Sequence, residues 1–267
     1  MSLRTRATLV ARPFVLFALF AASLCPPARA EWQTSVGAGA RSVTHTEYGP
    51  AGNQLVREHG WLPGAGLQAG YRHEQLAWYG AVDWYQGRID YQGRTQAGAG
   101  ASSTTATRLA AARLGASYTL GSYAILAAVE LDRWKRGIRG TAAGAGLQES
   151  YRSTRLLLGA GTHWQPALGS VALEASAQLA APERMHIGFS GLFDPVTLDT
   201  RRGHGLRLGA AIRPNGAPAL ELRGRADWLA VPRSGEAVLS AQGAFRGTVT
   251  QPEHVRRALT LELAYLF

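Results

Sequence analysis

The carboxylates Asp83, Glu130, Asp132 and Asp227 are the side chains with the clearest capacity for chemistry, each on a stretch of alternating residue character. Two such groups sharing a site would raise one pKa and suit general-base work on a water. A serine-histidine pair is the second option, with His163, His186 and His204 available and Ser153, Ser176 and Ser190 as partners for an activated nucleophile. No spacing among those six is diagnostic. The seven histidines form neither an H-x-x-x-H nor an H-E-x-x-H pattern, so no metal site is expected, and no cofactor motif is present. Gly144-Ala145-Gly146 lacks the strand-to-helix setting of a phosphate loop.

The elements that must position these groups are strands. Period-2 alternation marks ten segments, near 32–47, 60–73, 76–91, 104–118, 122–136, 149–164, 170–182, 203–213, 218–230 and 255–267. Short connections, such as His73-Glu74-Gln75 and Pro214-Asn215-Gly216-Ala217, alternate with long ones at 48–59, 92–103, 137–148, 183–202 and 231–254. On the fifth segment Tyr123, Ile125, Ala127, Val129 and Leu131 form one face, with Ala128, Glu130, Asp132 and Trp134 on the other. The charged face collects Arg41, Arg113, Arg155, Arg207, Arg223 and Arg225 against Asp83, Glu130, Asp132, Glu174, Glu221, Asp227 and Glu262. So even a balance of signs is expected to pair internally rather than to select ions.

The chain has 267 residues, 46% hydrophobic and 17% charged, which excludes a disordered tail as its main content. Its formal charge of +10 comes from arginine, Lys135 being the single lysine. The cations are dispersed, so nucleic acid is not an expected partner. Residues 1–30 read as a signal peptide: Arg4, Arg6 and Arg12 precede the apolar run Phe14 to Leu24, and Ala28-Arg29-Ala30 offers the small-x-small cleavage site. Cleavage after Ala30 would remove Cys25, the one cysteine, and leave 31–267 as a disulfide-free exported domain.

The last nine residues, Leu259 to Phe267, alternate and end on an aromatic residue, with Tyr265 two positions earlier. This segment resembles the terminal strand of Gram-negative outer-membrane β-barrels, in which the closing aromatic residue is an assembly signal. The resemblance implies a ten-stranded antiparallel transmembrane β-barrel, with eight or twelve strands as alternatives. It also implies an outer-membrane location, with Tyr265 and Phe267 read by the barrel-assembly machinery, and outer-membrane lipid and lipopolysaccharide as surroundings. Trp32, Tyr71, Trp78, Tyr118, Tyr123, Trp164, Tyr265 and Phe267 fall at the ends near the short connections, as an interfacial aromatic girdle would.

Its size also resembles that of the omptin proteases, which act with paired acids and an aspartate-histidine pair. Here Asp83 is followed by Trp84-Tyr85 rather than by a second acid two residues on, and no Asp-x-His occurs. The omptin roles therefore do not carry over, and the residues favour a surface binding, adhesion or envelope-structural protein with an unknown extracellular ligand. An outer-membrane hydrolase is the alternative and a narrow channel the third reading. The apolar loop 183–202, with Met185, Ile187, Phe189 and Phe193, is expected either to cover the barrel mouth or to bind.

Overall fold

The computed structural model describes residues 30–94, 100–141 and 144–267; apart from Ala30, the expected signal peptide lies outside them. Ten long strands close into an antiparallel barrel: β1 (Ala30–Tyr48), β2 (Gln54–His73), β3 (Leu76–Arg94), β4 (Gly100–Leu120), β5 (Tyr123–Ile138), β6 (Leu147–Trp164), β7 (Gly169–Ala180), β10 (Gly203–Pro214), β11 (Leu220–Val231) and β14 (Glu253–Leu266). Each strand pairs with its neighbours around the ring, and β14 returns to β1 from Ser35↔Leu266 to Tyr48↔Glu253. Closure leaves no open edge, since every strand of the ring has a paired neighbour on both sides. The strand count is ten rather than eight or twelve.

Tight turns join the strands at one end. His73 pairs with Leu76 around Glu74-Gln75, with Glu74 at φ 53°, and Leu120 pairs with Tyr123 around Gly121-Ser122, with Gly121 at φ 64°. Positive φ lets a two-residue turn follow the twist of its strands. At this end the aromatic girdle faces outward: Trp78, Tyr123 and Phe267 are exposed, Trp32 lies 5.0 Å from Tyr71, and Tyr265 lies 5.0 Å edge-on to Phe267.

Above it runs an outward apolar band. It covers Leu76 to Trp84 on β3, Tyr123 to Leu131 on β5 and Leu259 to Phe267 on β14, and the next outward residues are Gln86, Arg133 and Arg257. Trp61 and Trp84 mark its upper edge. Nine residues per strand is the length a tilted strand needs to cross hydrocarbon.

Many inward positions are polar or small, with Leu62, Tyr85, Ile89 and Leu157 among the large apolar exceptions. Gly39 shows why glycine is needed: a Cβ there would lie 2.0 Å from the Leu261 carbonyl oxygen of the neighbouring strand.

The segments read as long irregular loops contain further pairing, which corrects the sequence-based expectation. Within 183–202, β8 (Arg184–Gly188) and β9 (Val196–Asp199) form a hairpin, and within 231–254, β12 (Ala237–Ala241) and β13 (Ala244–Val249) form another. β7 leaves β6 at the Arg155↔Ala180 pair, and β8 then pairs with β6 from Arg152↔Arg184 to Gln148↔Gly188. The wall of the barrel therefore continues above the lipid-facing band.

Candidate functional site

Within the band, the lumen is cross-linked by ion pairs. Strand register sets Arg113 opposite Glu130 and Glu130 opposite Arg155. Arg113 Nε lies 3.1 Å and Arg155 Nη1 3.5 Å from the Glu130 carboxylate. From across the lumen Arg207 donates to the same group through both terminal nitrogens, at 2.8 and 3.0 Å. Its Nε donates to Asp227 Oδ1 at 2.6 Å, so one guanidinium bridges β5 and β11.

Asp227 also faces Arg41 and Arg225, both at 3.5 Å, and accepts from Gln178 at 3.3 Å. Asp83 accepts twice from Arg225 at 3.2 Å, and Asp132 lies 2.7 Å from Arg155. All four carboxylates singled out in the sequence thus meet in one layer, each held by an arginine. Glu130 is the most enclosed of them, with its side chain 3% exposed.

Towards the short turns the lumen opens into a cavity of about 470 Å³, lined among others by Gln33, Tyr79, Arg113, Glu174, Arg223 and Glu262. Towards the long loops a cavity of about 50 Å³ separates the ion-pair layer from a second buried cluster.

That second cluster was not singled out in the sequence. At its centre Arg136 Nη1 lies 2.7 Å from Glu149 and 3.4 Å from Glu47, and its Nε lies 2.9 Å from Glu58. Arg136 also donates to the Tyr151 hydroxyl at 2.9 Å, and that hydroxyl donates to Glu149 at 3.1 Å. Thr105 donates to Glu58, and Gln251 Nε2 to Glu47 at 3.2 Å.

Two histidine-glutamate pairs flank the centre, His45 with Glu47 at 3.0 Å and His254 with Glu183 at 3.3 Å, their rings 5.0 Å apart. Trp134 and Tyr151 stack beside them, with the Arg256 guanidinium 4.7 Å from the Trp134 ring. The β8–β9 hairpin seals the cluster. Met185 and Ile187 are buried against Trp134 and Tyr151 together with Val196 and Leu198, because alternation along the hairpin turns them inward. This corrects the expectation that they present a binding surface. Phe189 packs against the same core and meets Phe193 edge-on at 5.6 Å.

These groups lie above the lipid-facing band, and burial governs their charge. Burial and the Glu47 and Glu58 carboxylates push Glu149 up to about 7 against the pull of Arg136. Burial and the Arg136 charge push His45 down to about 3. The two act oppositely on stability. Native Glu149 keeps its proton where the unfolded chain, with an ordinary value of 4.5, has lost it, so its contribution is complete below about 4.5 and lost as pH rises through 7. His45 contributes fully above its ordinary 6.5 and loses that contribution as pH falls towards 3. Glu149→Gln is therefore expected to flatten the part of the melting-temperature profile that declines between pH 4.5 and 7, measured on detergent-solubilised barrel. An unaltered slope would contradict this placement of Glu149.

No family model and no curated protein matches the chain. Among solved structures, the outer-membrane protease OmpT of Escherichia coli superposes with a TM-score of 0.56 at 11% identity, covering 92% of this chain and 99% of that one. The translocator domain of the autotransporter NalP of Neisseria meningitidis gives 0.44 at 14% identity, over 87% and 88% of the two chains. The fold is that of an outer-membrane β-barrel. At 11% identity the likeness to the protease extends to the fold alone. Among the described residues Asp83, Glu130, Asp132 and Asp227 all lie inside arginine networks, and the two short hairpins stand at the long-loop end of the barrel.

Their tips are joined. Asp194, in the β8–β9 turn region, accepts from Ser240 Oγ at 2.6 Å and from the backbone N–H groups of Gln242 and Gly243 at 3.1 and 3.0 Å. Its own N–H donates to the Ser240 carbonyl at 2.8 Å. Leu192 and Phe245 stand exposed near the joined tips, and Val238 is exposed at the base of the second hairpin.

Proposed function

We propose that the protein resides in the outer membrane of a Gram-negative bacterium and acts there as a surface binding protein whose working surface is the joined tips of the β8–β9 and β12–β13 hairpins. Export by a signal peptide at 1–30, and insertion by assembly machinery reading Tyr265 and Phe267, belong to the same reading. The observation that carries it is the Asp194 clamp. Four hydrogen bonds hold two separate hairpins in one arrangement while leaving Leu192, Val238 and Phe245 in solvent. Pre-ordering of a protruding apolar surface lowers the entropic cost of binding, and such surfaces mark interaction sites.

The test displays the full chain on cells and scores adherence to immobilised extracellular-matrix proteins and to host cells. Leu192→Ser with Phe245→Ser is expected to abolish adherence while the barrel stays folded and surface-exposed, and Asp194→Ala to weaken it. Asp83→Asn is expected to leave adherence unchanged. Peptide or lipid turnover that vanishes in Asp83→Asn, with adherence indifferent to the tips, would replace this reading with the hydrolase.

A further inference from the structure

The outer wall just above the lipid-facing band carries like charges in direct opposition. Arg108 on β4 faces Lys135 on β5, Arg133 on β5 faces Arg152 on β6, and Arg152 in turn faces Arg184 on β8. All five point outward and are exposed, since their neighbours Thr107, Trp134, Arg136, Tyr151 and Met185 are the buried, inward members of the alternation. Among the described residues none of the five forms an ion pair within 4 Å; Arg108 instead lies 5.1 Å above the Trp84 ring. Asp199 stands opposite Arg184 without reaching it.

Directly opposed side chains on paired strands have Cβ atoms about 4.5–5.5 Å apart, and like charges there destabilise the sheet. Three such oppositions in one row over four strands are a standing repulsion, and inside the lumen the same chain pairs nearly every arginine with an acid. The row therefore has the form of a receptor for a group bearing several negative charges.

Its position specifies the ligand. Arg133 is the next outward residue beyond Leu131, the last outward apolar position of β5, and Arg152 lies two outward positions beyond Leu156 on β6. The row thus sits at headgroup height, with apolar wall immediately below it and the Trp84 edge of the band beside it. A soluble polyanion would use only the charges. A lipid would place its acyl chains along Leu131, Leu156 and Leu158 and its phosphates on the guanidinium groups, which match phosphate through paired N–H donors.

We propose that Arg108, Arg133, Lys135, Arg152 and Arg184 form a binding site for the phosphorylated saccharide headgroup of an outer-leaflet glycolipid, one anionic headgroup bridging the opposed cations. The site is separate from the hairpin tips and rests only on the outer-membrane part of the proposed function.

The experiment uses the full chain in a zwitterionic detergent and follows thermal unfolding with three probes: bis-phosphorylated lipid A, the same lipid A with both phosphates removed, and inorganic tripolyphosphate. The wild type should gain several degrees of melting temperature with bis-phosphorylated lipid A alone. Arg133→Gln/Lys135→Gln/Arg152→Gln should lose that gain, with apparent affinity down by more than about tenfold. It should melt no lower than wild type without lipid, because the repulsion is relieved. Arg57→Gln/Arg94→Gln/Arg246→Gln, which removes the same charge from exposed positions elsewhere, should respond like wild type.

A gain that survives in the row variant, or that disappears equally in the control, overturns the site. An equal gain with dephosphorylated lipid A overturns the role of phosphate, and an equal gain with tripolyphosphate overturns the lipid in favour of a soluble anion. Membrane fractionation of each variant reports outer-membrane residence independently, so the failure of that reading is distinguishable from failure of the site.

Discussion

Arg136→Met is expected to cost the barrel roughly 3–5 kcal/mol, measured as a lowered urea midpoint for refolding into lipid vesicles at neutral pH. The reason is arithmetic of charge in a sealed space. Glu47, Glu58 and Glu149 converge on this one buried guanidinium, and among the described residues only Glu47 of the three has a further cationic candidate in contact, His45, which burial and the Arg136 charge keep neutral. Methionine fills much of the volume but leaves three carboxyl groups with hydroxyl, amide and neutral imidazole partners only.

Two further observations separate this account from simple loss of packing. The deficit should shrink as pH falls towards 4.5, because protonation removes the unpaired negative charge that the variant would otherwise bury. Adding Glu58→Gln and Glu149→Gln to Arg136→Met should restore much of the loss, since an apolar or neutral replacement of a whole buried ion cluster is far cheaper than removal of one member. A deficit that is independent of pH and is not rescued would make the cluster a packing element rather than an electrostatic one.

The long strands were legible because lipid imposes a strict requirement: every second residue must be apolar for about nine residues, as in Tyr123 to Leu131 and Leu259 to Phe267. Pairing inside the lumen was legible only as a balance of signs. Which arginine meets Glu130 depends on register, and a shift of one residue between β4 and β5 would remove Arg113 from opposite it.

The upper cluster was hidden for a related reason. Glu47 and Gln251 are 204 residues apart in sequence and meet only because the barrel closes, whereas Arg136 and Glu149 stand opposite one another across a long loop. The nearest local signal was His45-Thr46-Glu47, whose two-residue spacing puts both side chains on one face of a strand. The β8–β9 hairpin went unread because strands of five and four residues, interrupted by Pro195 and Gly191, are too short for alternation to stand out. Even so, Met185 with Ile187 and Val196 with Leu198 carry the period that turns them inward.

Replacing both Tyr265 and Phe267 by Asp is expected to abolish membrane insertion almost completely, the largest effect on cellular yield anticipated for any change of two residues. β14 closes the ring, pairing with β1 on one side and β11 on the other. Phe267, just beyond β14, is still tied in, since its N–H donates to the Thr34 carbonyl at 2.9 Å, and the Leu266 N–H donates to the Ala219 carbonyl at 2.8 Å.

The backbone bonds themselves survive substitution by Asp, so what is lost is the outward face. Phe267 is 73% exposed and Tyr265 49%, edge-on to each other at the level of Trp32 and Trp78. Two carboxylates there would have to enter the interface during insertion, and an unclosed β14 would leave unpaired N–H and C=O groups of β1 and β11 facing hydrocarbon. Heat-modifiable mobility and outer-membrane fractionation measure the outcome. Tyr265→Phe with Phe267→Tyr, which keeps two aromatic rings at the same height, should insert normally. If the double Asp variant instead reaches the outer membrane in normal amount with heat-modifiable mobility, strand pairing alone closes the barrel and the terminal aromatics are ordinary surface residues.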